Sequence, residues 1–424
     1  MKKILLIDDS QTILNALESE ILKCIGSTCV GDFEVLTAKS FAEASKIVRK
    51  NNDQISVAVV DLNLPDCKSG QAVLLTSSHG IATIVFTSVN DDSVKSLMLK
   101  KDVLDYTTKD SYNGIQYISN FVQKIIRNYD ITALVVDDSK VFRTAFKNDL
   151  EKLRINVLEA KDGKEGLDVI SNPENNISLV LTDYNMPNMD GLELTAALRA
   201  KYDKDTLSII ALSASGDAHV LSDFIKLGAN DFLPKPHKFE ELNVRVNANL
   251  DLLDLFQKTK DLANKDYMTG SYNRRYFFEA AEAILDKNKR KDQSIAVATL
   301  DIDNFKNVND TYGHDVGDVA IQEIAGVLDR TLRNSDLVAR FGGEEYCVLL
   351  EDISLEDTKI LFEKIRVNFE NNEIKTNDIT LKYTVSLGIA YGKSTDINAL
   401  IKVSDDALYE AKDTGRNKVI IHDI

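Results

Sequence analysis

The stretch "KILLIDDSQTI" at residues 3–13 returns as "ALVVDDSKVF" at residues 133–142, and three further stretches repeat behind it in the same order. These are "VAVVDLNLPD" (57–66) with "LVLTDYNMPN" (179–188), "TIVFTS" (83–88) with "IIALSAS" (209–215), and "DVLDYTTK" (102–109) with "GANDFLPK" (228–235). Short β-branched apolar runs alternate with amphipathic stretches such as "FAEASKIVRK", which predicts strands and helices alternating around a buried parallel sheet. The repeat therefore predicts two copies of a doubly wound (βα)5 fold.

The length and the charge of the chain limit the number of domains and the kinds of surface that we expect. With 424 residues, 44% hydrophobic and 28% charged, the chain suits a globular protein of two to four domains. A formal net charge of -16 argues against a nucleic-acid or anionic membrane surface, because such surfaces need clustered Lys and Arg. We expect any phosphate that the protein binds to be held locally.

The N-terminus and the cysteines indicate an intracellular chain. Two aspartates interrupt the apolar run in "MKKILLIDDS" before a signal peptide could form, and no stretch approaches the ~20 apolar residues of a membrane span. We therefore expect a soluble, cytoplasmic protein without membrane insertion. Cys24 and Cys29 are close enough for a disulfide or a metal site, but with Cys67 and Cys347 they fit reduced, packed thiols better.

Polar residues recur at the predicted strand ends of both copies. They are Asp8, Asp9, Asp61, Thr87 and Lys109 in the first copy, and Asp137, Asp138, Asp183, Ser213 and Lys235 in the second. The carboxyl ends of parallel strands meet at one edge of an open α/β sheet, where such folds place their sites. Three carboxylates crowded there need a hard cation such as Mg²⁺, which would leave one of them able to attack a phosphoryl donor.

This arrangement resembles the receiver domain of two-component response regulators, over roughly residues 1–250. The resemblance implies that Asp61 and Asp183 accept a phosphoryl group from a sensor histidine kinase or a phosphotransfer protein. It also implies that the three acids of each copy hold Mg²⁺, with Thr87, Ser213, Lys109 and Lys235 relaying the phosphorylated state. The alternative is an inert doubly wound fold with polar strand ends.

The two copies differ after the acceptor and after the lysine. The first has one residue more between Asp61 and its glycine, and Asp110 follows Lys109. In the second copy a proline, expected in the cis form, follows Lys235. Both sets of strand-end residues are complete, so we predict that both copies accept phosphate.

A stretch without proline or glycine, residues 237–266, follows the second copy and predicts a long helix. Val246, Leu253 and Phe256 fall on a seam of coiled-coil spacing that Asn249 and Lys260 weaken. Two interpretations stand side by side: a core helix that continues as a linker, and a stalk that pairs two copies of the chain.

The stretch "ARFGGEEYCVLL" at residues 339–350 places two glycines and two acids between two predicted strands. Gly342 and Gly343 allow a turn with positive φ and leave space for a bulky ligand. Upstream, Asp301 and Asp303 come at the end of a predicted strand, and we expect their side chains to point to opposite faces, so that only one of them joins Glu344. A hairpin beside that strand would bring together two carboxylates, enough to bind two Mg²⁺ ions with nucleotide phosphates.

Residues 264–424 resemble the GGDEF family of diguanylate cyclases through "GGEEY", "DIDNFKNVND", "GHDVGD" and "AKDTGRN". The resemblance implies a ferredoxin-like, nucleotidyl-cyclase-like fold. It implies that Asp301, the Ile302 carbonyl and Glu344 bind Mg²⁺, with Mn²⁺ as a substitute. Glu344 would help to deprotonate the 3′-hydroxyl and Glu345 would support it, while the substrate contacts would come from Phe305, Lys306, Asn309, Asp318, Lys412 and Arg416.

The chemistry of the base readers favours GTP. A carboxylate such as Asp318 accepts the N1–H and N2–H donors of guanine together, whereas the unprotonated N1 of adenine leaves it unpaired. Lys412 and Arg416 are expected one helical turn apart, facing the same phosphates. The expected reaction joins two GTP into cyclic di-GMP and releases two pyrophosphates.

Each domain of this family holds one GTP, so the resemblance also implies a homodimer whose assembly the receivers control. Arg333 and Asp336 have the spacing of the family's inhibitory RxxD site for the product, with Lys364 in place of a secondary arginine. We predict receivers at 1–128 and 129–250, a helical linker at 251–265 and the GGDEF domain at 266–424. The alternative function is a catalytically weak module that binds cyclic di-GMP, and a DNA-binding output is disfavoured for lack of a basic face.

Overall fold

A computed structural model describes most of the chain. The described residues are 2–26, 33–99, 103–111, 113–214, 218–291, 293–333, 335–376, 379–393 and 396–424. The chain divides into two compact units, Met1–Phe256 and Gln257–Ile424, here called the N-terminal and C-terminal units. Cys29 lies outside the described residues, and Cys24, Cys67 and Cys347 are free thiols.

The N-terminal unit begins with a first module of alternating strands and helices. Its elements are β1 (Lys2–Ile7), α1 (Gln11–Gly26), β2 (Phe33–Ala38), α2 (Phe41–Asn51), β3 (Ile55–Val60), α3 (Gln71–Ser78), β4 (Ala82–Thr87), α4 (Asp92–Leu99), β5 (Val103–Thr108) and α5 (Gly114–Asn128). The five strands form a parallel sheet in the order β2-β1-β3-β4-β5. Every residue of β3 and β4 is buried, as expected for strands covered by helices on both faces.

A second module repeats this plan. Its elements are β6 (Thr132–Val136), α6 (Lys140–Lys152), β7 (Asn156–Ala160), α7 (Gly163–Ile170), β8 (Ile177–Asp183), α8 (Gly191–Arg199), β9 (Ser208–Ala214), α9 (Ala218–Leu227), β10 (Asp231–Lys235) and α10 (Phe239–Asn264). Read from the other edge, its strand order β7-β6-β8-β9-β10 matches the first sheet. The predicted repeat of a doubly wound fold is therefore confirmed at the level of topology.

The two modules share a hydrophobic core. One cluster of buried side chains includes Leu6 of β1, Ile125 of α5 and Val135 of β6, together with Leu242 and Val246 of α10. Polar bonds supplement this packing: the Asn128 side chain donates to the Leu153 carbonyl at 3.0 Å, and Arg127 of α5 bonds Asp251 at 2.7 Å. This shared cluster joins the two modules, and each module also has a hydrophobic cluster of its own.

Of the two interpretations of α10, the core helix is confirmed for its first half, where no coiled-coil seam is exposed. Val246 is fully buried, Leu253 packs against the shared core, and Asn249 is buried with its side-chain oxygen 3.0 Å from the Ser208 hydroxyl. The exposed apolar side chains of this helix are Val244, Leu252, Leu255, Phe256 and Leu262, and Phe256 alone of these belongs to the predicted seam. A helical period of apolar residues marks a covered face, and here the modules themselves cover it.

The C-terminal unit is a mixed α/β fold. Its elements are β11 (Tyr272–Asn273), α11 (Arg274–Lys291), β12 (Ile295–Ile302), α12 (Phe305–Tyr312), α13 (His314–Thr331), β13 (Leu337–Gly342), β14 (Glu345–Glu351), α14 (Leu355–Asn371), β15 (Ile374–Thr376), β16 (Ile379–Leu381), β17 (Val385–Gly392), α15 (Ile397–Asp413) and β18 (Val419–Asp423). The main sheet has the order β11-β13-β14-β12-β17-β18.

Strand β12 lies in the middle of this sheet, antiparallel to both β14 and β17. All eight of its residues are buried, and side chains of alternate parity enter two separate cores, with Ala296 and Ala298 in one and Ile295 and Val297 in the other. The register sets Leu300 opposite Tyr346. The β13–β14 hairpin therefore lies beside β12, the strand that carries Asp301, as predicted.

The two compact units divide between Phe256 and Gln257, within α10 and inside the predicted linker. The exact boundaries of the predicted domains remain predictions. Among the described residues, no helix has both the length and the apolar composition needed to cross a bilayer.

Candidate functional site

The second module gathers three acids at the carboxyl end of its sheet. Carboxylate oxygens of Asp137, Asp138 and Asp183 all lie within 4.8 Å of one another. The Lys235 ammonium contacts Asp137 and lies 2.7 Å from Asp183 Oδ1. A cavity of about 290 Å³ opens over these side chains and is also lined by Ser213. Oxygen donors at this spacing fit Mg²⁺, which Asp137, Asp138 and Asp183 would hold.

The first module places its five predicted residues in the same way. Asp8, Asp9 and Asp61 have carboxylate oxygens within 4.8 Å of one another, and Asp9 is exposed while the other two are buried. Lys109 Nζ lies 2.6 Å from both Asp8 and Asp61. Thr87 is fully buried at the end of β4. The same donor set therefore fits a second divalent cation.

Burial changes the acidity of one carboxyl in each module. Burial raises the pKa of Asp8 in the first module, and the hydrogen bond from Lys109 opposes that effect only in part. Burial likewise raises the pKa of Asp183, against the hydrogen bond from Lys235. In both modules the lysine supplies one positive charge to two buried acids, so the site keeps an excess of negative charge that favours a cation.

In the C-terminal unit, the predicted turn has the conformation that its glycines allow. Gly342 has φ 150° and Gly343 has φ 50°, both at positive values that favour glycine. Glu344 is half-buried and Glu345 is exposed. Tyr346 is fully buried behind the turn, and its hydroxyl donates to the Ile321 carbonyl at 2.8 Å. The tyrosine ring thus anchors the hairpin to α13.

Asp301 and Asp303 have different partners, but the expectation that they point to opposite faces is wrong: residues two apart in a strand share a face, and Asp303 lies just beyond β12, which ends at Ile302. Lys412 Nζ lies 2.8 Å from Asp301 Oδ2. Burial raises the pKa of Asp301 to about 6, with Lys412 lowering it and the charges of Glu344 and Glu345 raising it. Asp303 instead bonds the hydroxyls of Thr384 and Ser386. Asp301 is therefore the acid that shares an electrostatic environment with the turn.

Asp301, Ile302 and Glu344 fit a divalent cation by the chemistry of their donors. Asp301 and Glu344 offer carboxylate oxygens, and the charge of Glu344 helps to raise the pKa of Asp301. Ile302, the last residue of β12, adds a backbone carbonyl. Oxygen ligands of this kind are those that Mg²⁺ and Mn²⁺ take.

The substrate-binding residues predicted on α12 and α13 lie at the junction of these helices. Lys306 and Asp318 are exposed, and Phe305 and Asn309 are half-buried. A Cβ built on Gly317 would lie 2.0 Å from Asn309 Oδ1. Gly317 is therefore needed so that the Asn309 side chain can approach α13. Sequence reasoning missed this role, although the "GHDVGD" motif contained the glycine.

The predicted geometry of Lys412 and Arg416 is wrong. Helix α15 ends at Asp413, so the two residues are not one helical turn apart. Arg416 follows in a loop with φ 61°, and its backbone N–H donates to the Ala411 carbonyl at 3.0 Å. Gly415, with φ 120°, ends the helix and was the signal that could have revealed this.

Arg333 and Asp336 form a closed turn at the edge of a large cavity. The Arg333 backbone N–H donates to Asp336 Oδ2 at 2.8 Å, and burial raises the pKa of Asp336. Both residues line a cavity of about 520 Å³ together with Lys265, Thr269 and Gln322. Lys364 lies on α14 with an exposed side chain.

Two family models match the chain. Residues 263–418 match the diguanylate cyclase GGDEF domain, and residues 133–247 match the response regulator receiver domain. The receiver match thus falls on the second module. The C-terminal match contains the turn, Asp301 and the loop that carries Arg416.

The chain is similar to a response regulator and to a probable diguanylate cyclase. The response regulator PleD of Caulobacter vibrioides (strain NA1000 / CB15N) is 31% identical over 255 residues, 58% of this chain and 56% of PleD. The probable diguanylate cyclase DgcT of Escherichia coli (strain K12) is 39% identical over 191 residues, 43% of this chain and 41% of that protein. The chain spans about half the length of the curated relatives it matches.

A solved structure of a response regulator/GGDEF domain protein is also similar to this chain. A two-component system response regulator/GGDEF domain protein is 35% identical with a TM-score of 0.53, and the match covers 60% of this chain and 100% of that one. The chain therefore joins a response regulator receiver domain, at residues 133–247, to a GGDEF domain, at residues 263–418.

Proposed function

We propose that the chain is a diguanylate cyclase that condenses two GTP into cyclic di-GMP and two pyrophosphates, under the control of its receivers. The observation that carries this proposal is the meeting of Asp301, Lys412 and the Gly-Gly-Glu-Glu turn at one edge of the C-terminal sheet. Each 3′-hydroxyl attacks the α-phosphate of the partner's GTP, forming a new ester bond while pyrophosphate leaves.

Acidic and basic side chains divide the work at this edge. Asp301, the Ile302 carbonyl and Glu344 would hold Mg²⁺, with Mn²⁺ as a substitute, and the cation supplies charge neutralisation at the phosphates. Glu344 accepts the proton of the attacking hydroxyl, and the neighbouring Glu345 supports it through its charge. Lys306, Lys412 and Arg416 stabilise the negative charge that develops on the phosphates.

Selection of guanine rests on Asn309 and Asp318, with Phe305 beside them. Asp318 is an exposed acceptor on α13, one residue beyond Gly317, which makes room for the Asn309 side chain. Together these groups can pair with the N1–H and N2–H donors of guanine. Adenine offers no matching pair of donors and would leave the carboxylate unsatisfied, which disfavours ATP.

One C-terminal unit holds one nucleotide, so the reaction needs a second copy of the chain. We propose a homodimer in which phosphorylation brings two GGDEF domains together and raises their effective concentration. Leu252 and Leu255 of α10 are exposed three residues apart, a spacing found in paired helices, and their exposure supports contact with a second copy.

Both modules of the N-terminal unit act as receivers in this proposal. The first shares the strand order of the second and holds its lysine between two acids in the same way. Asp61 and Asp183 accept the phosphoryl group from a sensor histidine kinase or a phosphotransfer protein. Thr87 and Ser213 then bind the phosphoryl oxygens, while Lys109 and Lys235 neutralise their charge.

The cavity at Arg333 and Asp336 supports a site for the product. Its volume of about 520 Å³ falls within the range of small-molecule sites. The guanidinium of Arg333 can clasp a guanine edge or a phosphate, and Asp336 can accept donors from the base. Cyclic di-GMP bound there would inhibit the enzyme by holding the domain away from its partner.

The same cavity favours a second candidate function, a catalytically weak module that senses cyclic di-GMP. In that case the ligand would bind at Arg333 and Asp336, and the active-site acids would contribute little turnover. The two functions differ in whether GTP is consumed.

One experiment separates them: incubation of the full chain with GTP and Mg²⁺, with and without beryllofluoride, followed by chromatographic separation of the nucleotides. We expect cyclic di-GMP, formed faster with beryllofluoride, and none from an Asp301→Ala variant. Absence of cyclic di-GMP under both conditions, together with measurable binding of added cyclic di-GMP, would favour the sensor function.

A further inference from the structure

The loop that carries Arg416 is held by an acid outside the catalytic set. Asp303 is buried at the end of β12, and its carboxylate accepts three hydrogen bonds. Two come from the Thr384 and Ser386 hydroxyls, each at 2.6 Å, and the third comes from the Asn417 backbone N–H at 2.9 Å. Asp303 is therefore occupied by donors from Thr384, from β17 and from the loop, on the same side of the sheet as Asp301, which lies opposite Ser386 in the register of β12 and β17.

This loop needs such support because its backbone is strained. Gly415, Arg416 and Asn417 follow one another with φ values of 120°, 61° and 49°. A side chain with a Cβ makes the left-handed region sterically unfavourable, less so for Asn417 than for Arg416, so Arg416 does not adopt it unaided. Strain of this kind persists where surrounding contacts hold the backbone.

The side chain of Asn417 provides the remaining contacts. Its Oδ1 accepts from Arg366 Nη1 of α14 at 2.7 Å, and its Nδ2 donates to Glu370 Oε1 at 2.9 Å. Arg366 is itself fixed by Glu363 and Glu370. Asn417 is thus bound by its backbone to β12 and by its side chain to α14, one residue after Arg416.

We propose that Asp303 is a positioning residue for substrate binding, which acts through Arg416. Asp301, on β12, and Asp303, just after it, hold two ends of one segment, Lys412 and Asn417. Arg416 lies between these ends, so the direction in which its side chain leaves the backbone depends on both anchors. The inference rests on the proposed function, in which Arg416 binds the phosphates of GTP.

A double-mutant cycle tests this inference by binding rather than by turnover. The probe is a GTP analogue with an α,β-methylene bridge, titrated with Mg²⁺ into the full-length chain. Asp303→Asn keeps the size of the side chain but removes the charge that strengthens the bond to Asn417, and we expect about tenfold weaker binding. Ser386→Ala removes a different donor to the same carboxylate and should change the affinity by less than about twofold.

The cycle is completed by Arg416→Ala. If Asp303 acts through Arg416, then adding Asp303→Asn to Arg416→Ala weakens binding by no more than about a further twofold, because the target of the positioning is gone. Losses that multiply, or a loss in Ser386→Ala as large as in Asp303→Asn, would overturn the inference. A wild-type chain that does not bind the analogue would instead refute the proposed function itself.

Hydrogen exchange gives a second measurement that does not depend on nucleotide binding. The Asn417 amide of the wild-type chain should exchange slowly without nucleotide, because it donates to a buried carboxylate. Asp303→Asn should speed exchange at residues 412–418 and leave β14 unchanged. Fast exchange of the Asn417 amide in the wild-type chain would contradict the anchoring of the loop.

Discussion

The two modules of the N-terminal unit place the same reactive residues in different surroundings. Each has a lysine between two buried acids: Lys109 between Asp8 and Asp61, and Lys235 between Asp137 and Asp183. The connections differ. In the first module the loop after the acceptor reaches α3 through Gly70 at φ 80°, whereas α8 of the second begins with a capping box.

The neighbours of the lysine differ as well. Lys235 lies over the Phe142 ring at 4.7 Å, and the cis Lys235–Pro236 bond leads to His237. The His237 ring stacks on Phe146 and lies 2.9 Å from Asp149. The acids and the lysine at the strand ends are the same in both modules because the chemistry of the site depends on them. The connecting loops differ because they only have to return the chain to the sheet.

The phosphoacceptors give the largest expected contrast. With acetyl phosphate and Mg²⁺, Asp61→Asn should keep label in the second module and Asp183→Asn should keep label in the first, because each site is complete by itself. The double variant should lose all label, as measured by phosphate-specific gel staining. No label on the Asp183→Asn protein would mean that the first module is an adaptor without phosphotransfer.

Removal of the lysines should destabilise the unit strongly. Lys235→Met leaves two buried carboxylates without their cation, and we expect a loss of about 3–5 kcal/mol in the free energy of unfolding. Lys109→Met should cost somewhat less, since its side chain is 11% exposed against 7% for Lys235. Urea titration measures both, and added Mg²⁺ should restore part of the loss.

Lys226→Met is the matched control for these variants. Lys226 pairs with Asp223 on the surface, where its side chain is 73% exposed. An exposed pair of this kind contributes at most about 1 kcal/mol. Equal losses in the buried and the exposed lysine variants would show that the lysines of the two modules carry no special charge balance.

Substitution by alanine should destabilise the protein unequally at the two glycines that follow the acceptors, Gly191 and Gly70. A Cβ on Gly191 would lie 2.1 Å from the Asp183 carbonyl oxygen, a backbone atom that cannot move freely. We expect Gly191→Ala to cost about 3 kcal/mol and to reduce labelling of Asp183. At Gly70 the nearest atom is the flexible Met98 side chain at 3.1 Å, so Gly70→Ala should cost about 1 kcal/mol, mainly for its positive φ.

Chemical denaturation with labelling of both variants provides the measurement. The contrast would fail if Gly70→Ala proved the more harmful of the two. That outcome would mean that backbone conformation, not the approach of the helix to the acceptor strand, limits these connections.

A third pair of acid and lysine, Asp301 and Lys412, extends the comparison of the two modules, and its expected effect is the smallest. Burial raises the pKa of Asp301 to about 6, so this carboxyl gains a proton below that pH and is ionised above it. Nucleotide binding with Mg²⁺ requires the ionised form and should weaken by about tenfold for each pH unit below 6. Titrations of the methylene analogue from pH 5 to 8 measure this.

Asp301→Asn is the control for the pH dependence, since its side chain does not titrate. Its affinity should be low and should vary less with pH across the same range. A wild-type affinity independent of pH between 5 and 7 would contradict the assignment of Asp301 to the cation site.

Much of the fold and of the site could be predicted from local patterns. Apolar β-branched runs of strand length predicted the two parallel sheets, and polar residues at their ends predicted the acid clusters. These predictions succeeded because they depend on periodicities of two and 3.6 residues, which each segment carries by itself.

What the sequence left open or predicted wrongly depends on contacts between segments and on where a helix ends. Val246 and Leu253 have the spacing of a coiled-coil seam, yet they pack on the core that the two modules share, because a helical stripe does not reveal its partner. The end of α15 was misjudged because "AKDTGRN" continues the helical pattern up to Gly415.

The sequence by itself determined which residue types stand at each strand end, the repeat of the doubly wound fold, and the turn that Gly342 and Gly343 permit. Only the tertiary structure decided that Asp303 binds the Asn417 amide 114 residues away and that Arg366 binds its side chain 51 residues away. The reason is physical: local periodicity selects strands and helices, whereas the pairing of polar groups depends on which distant segments the packed core brings within hydrogen-bonding distance.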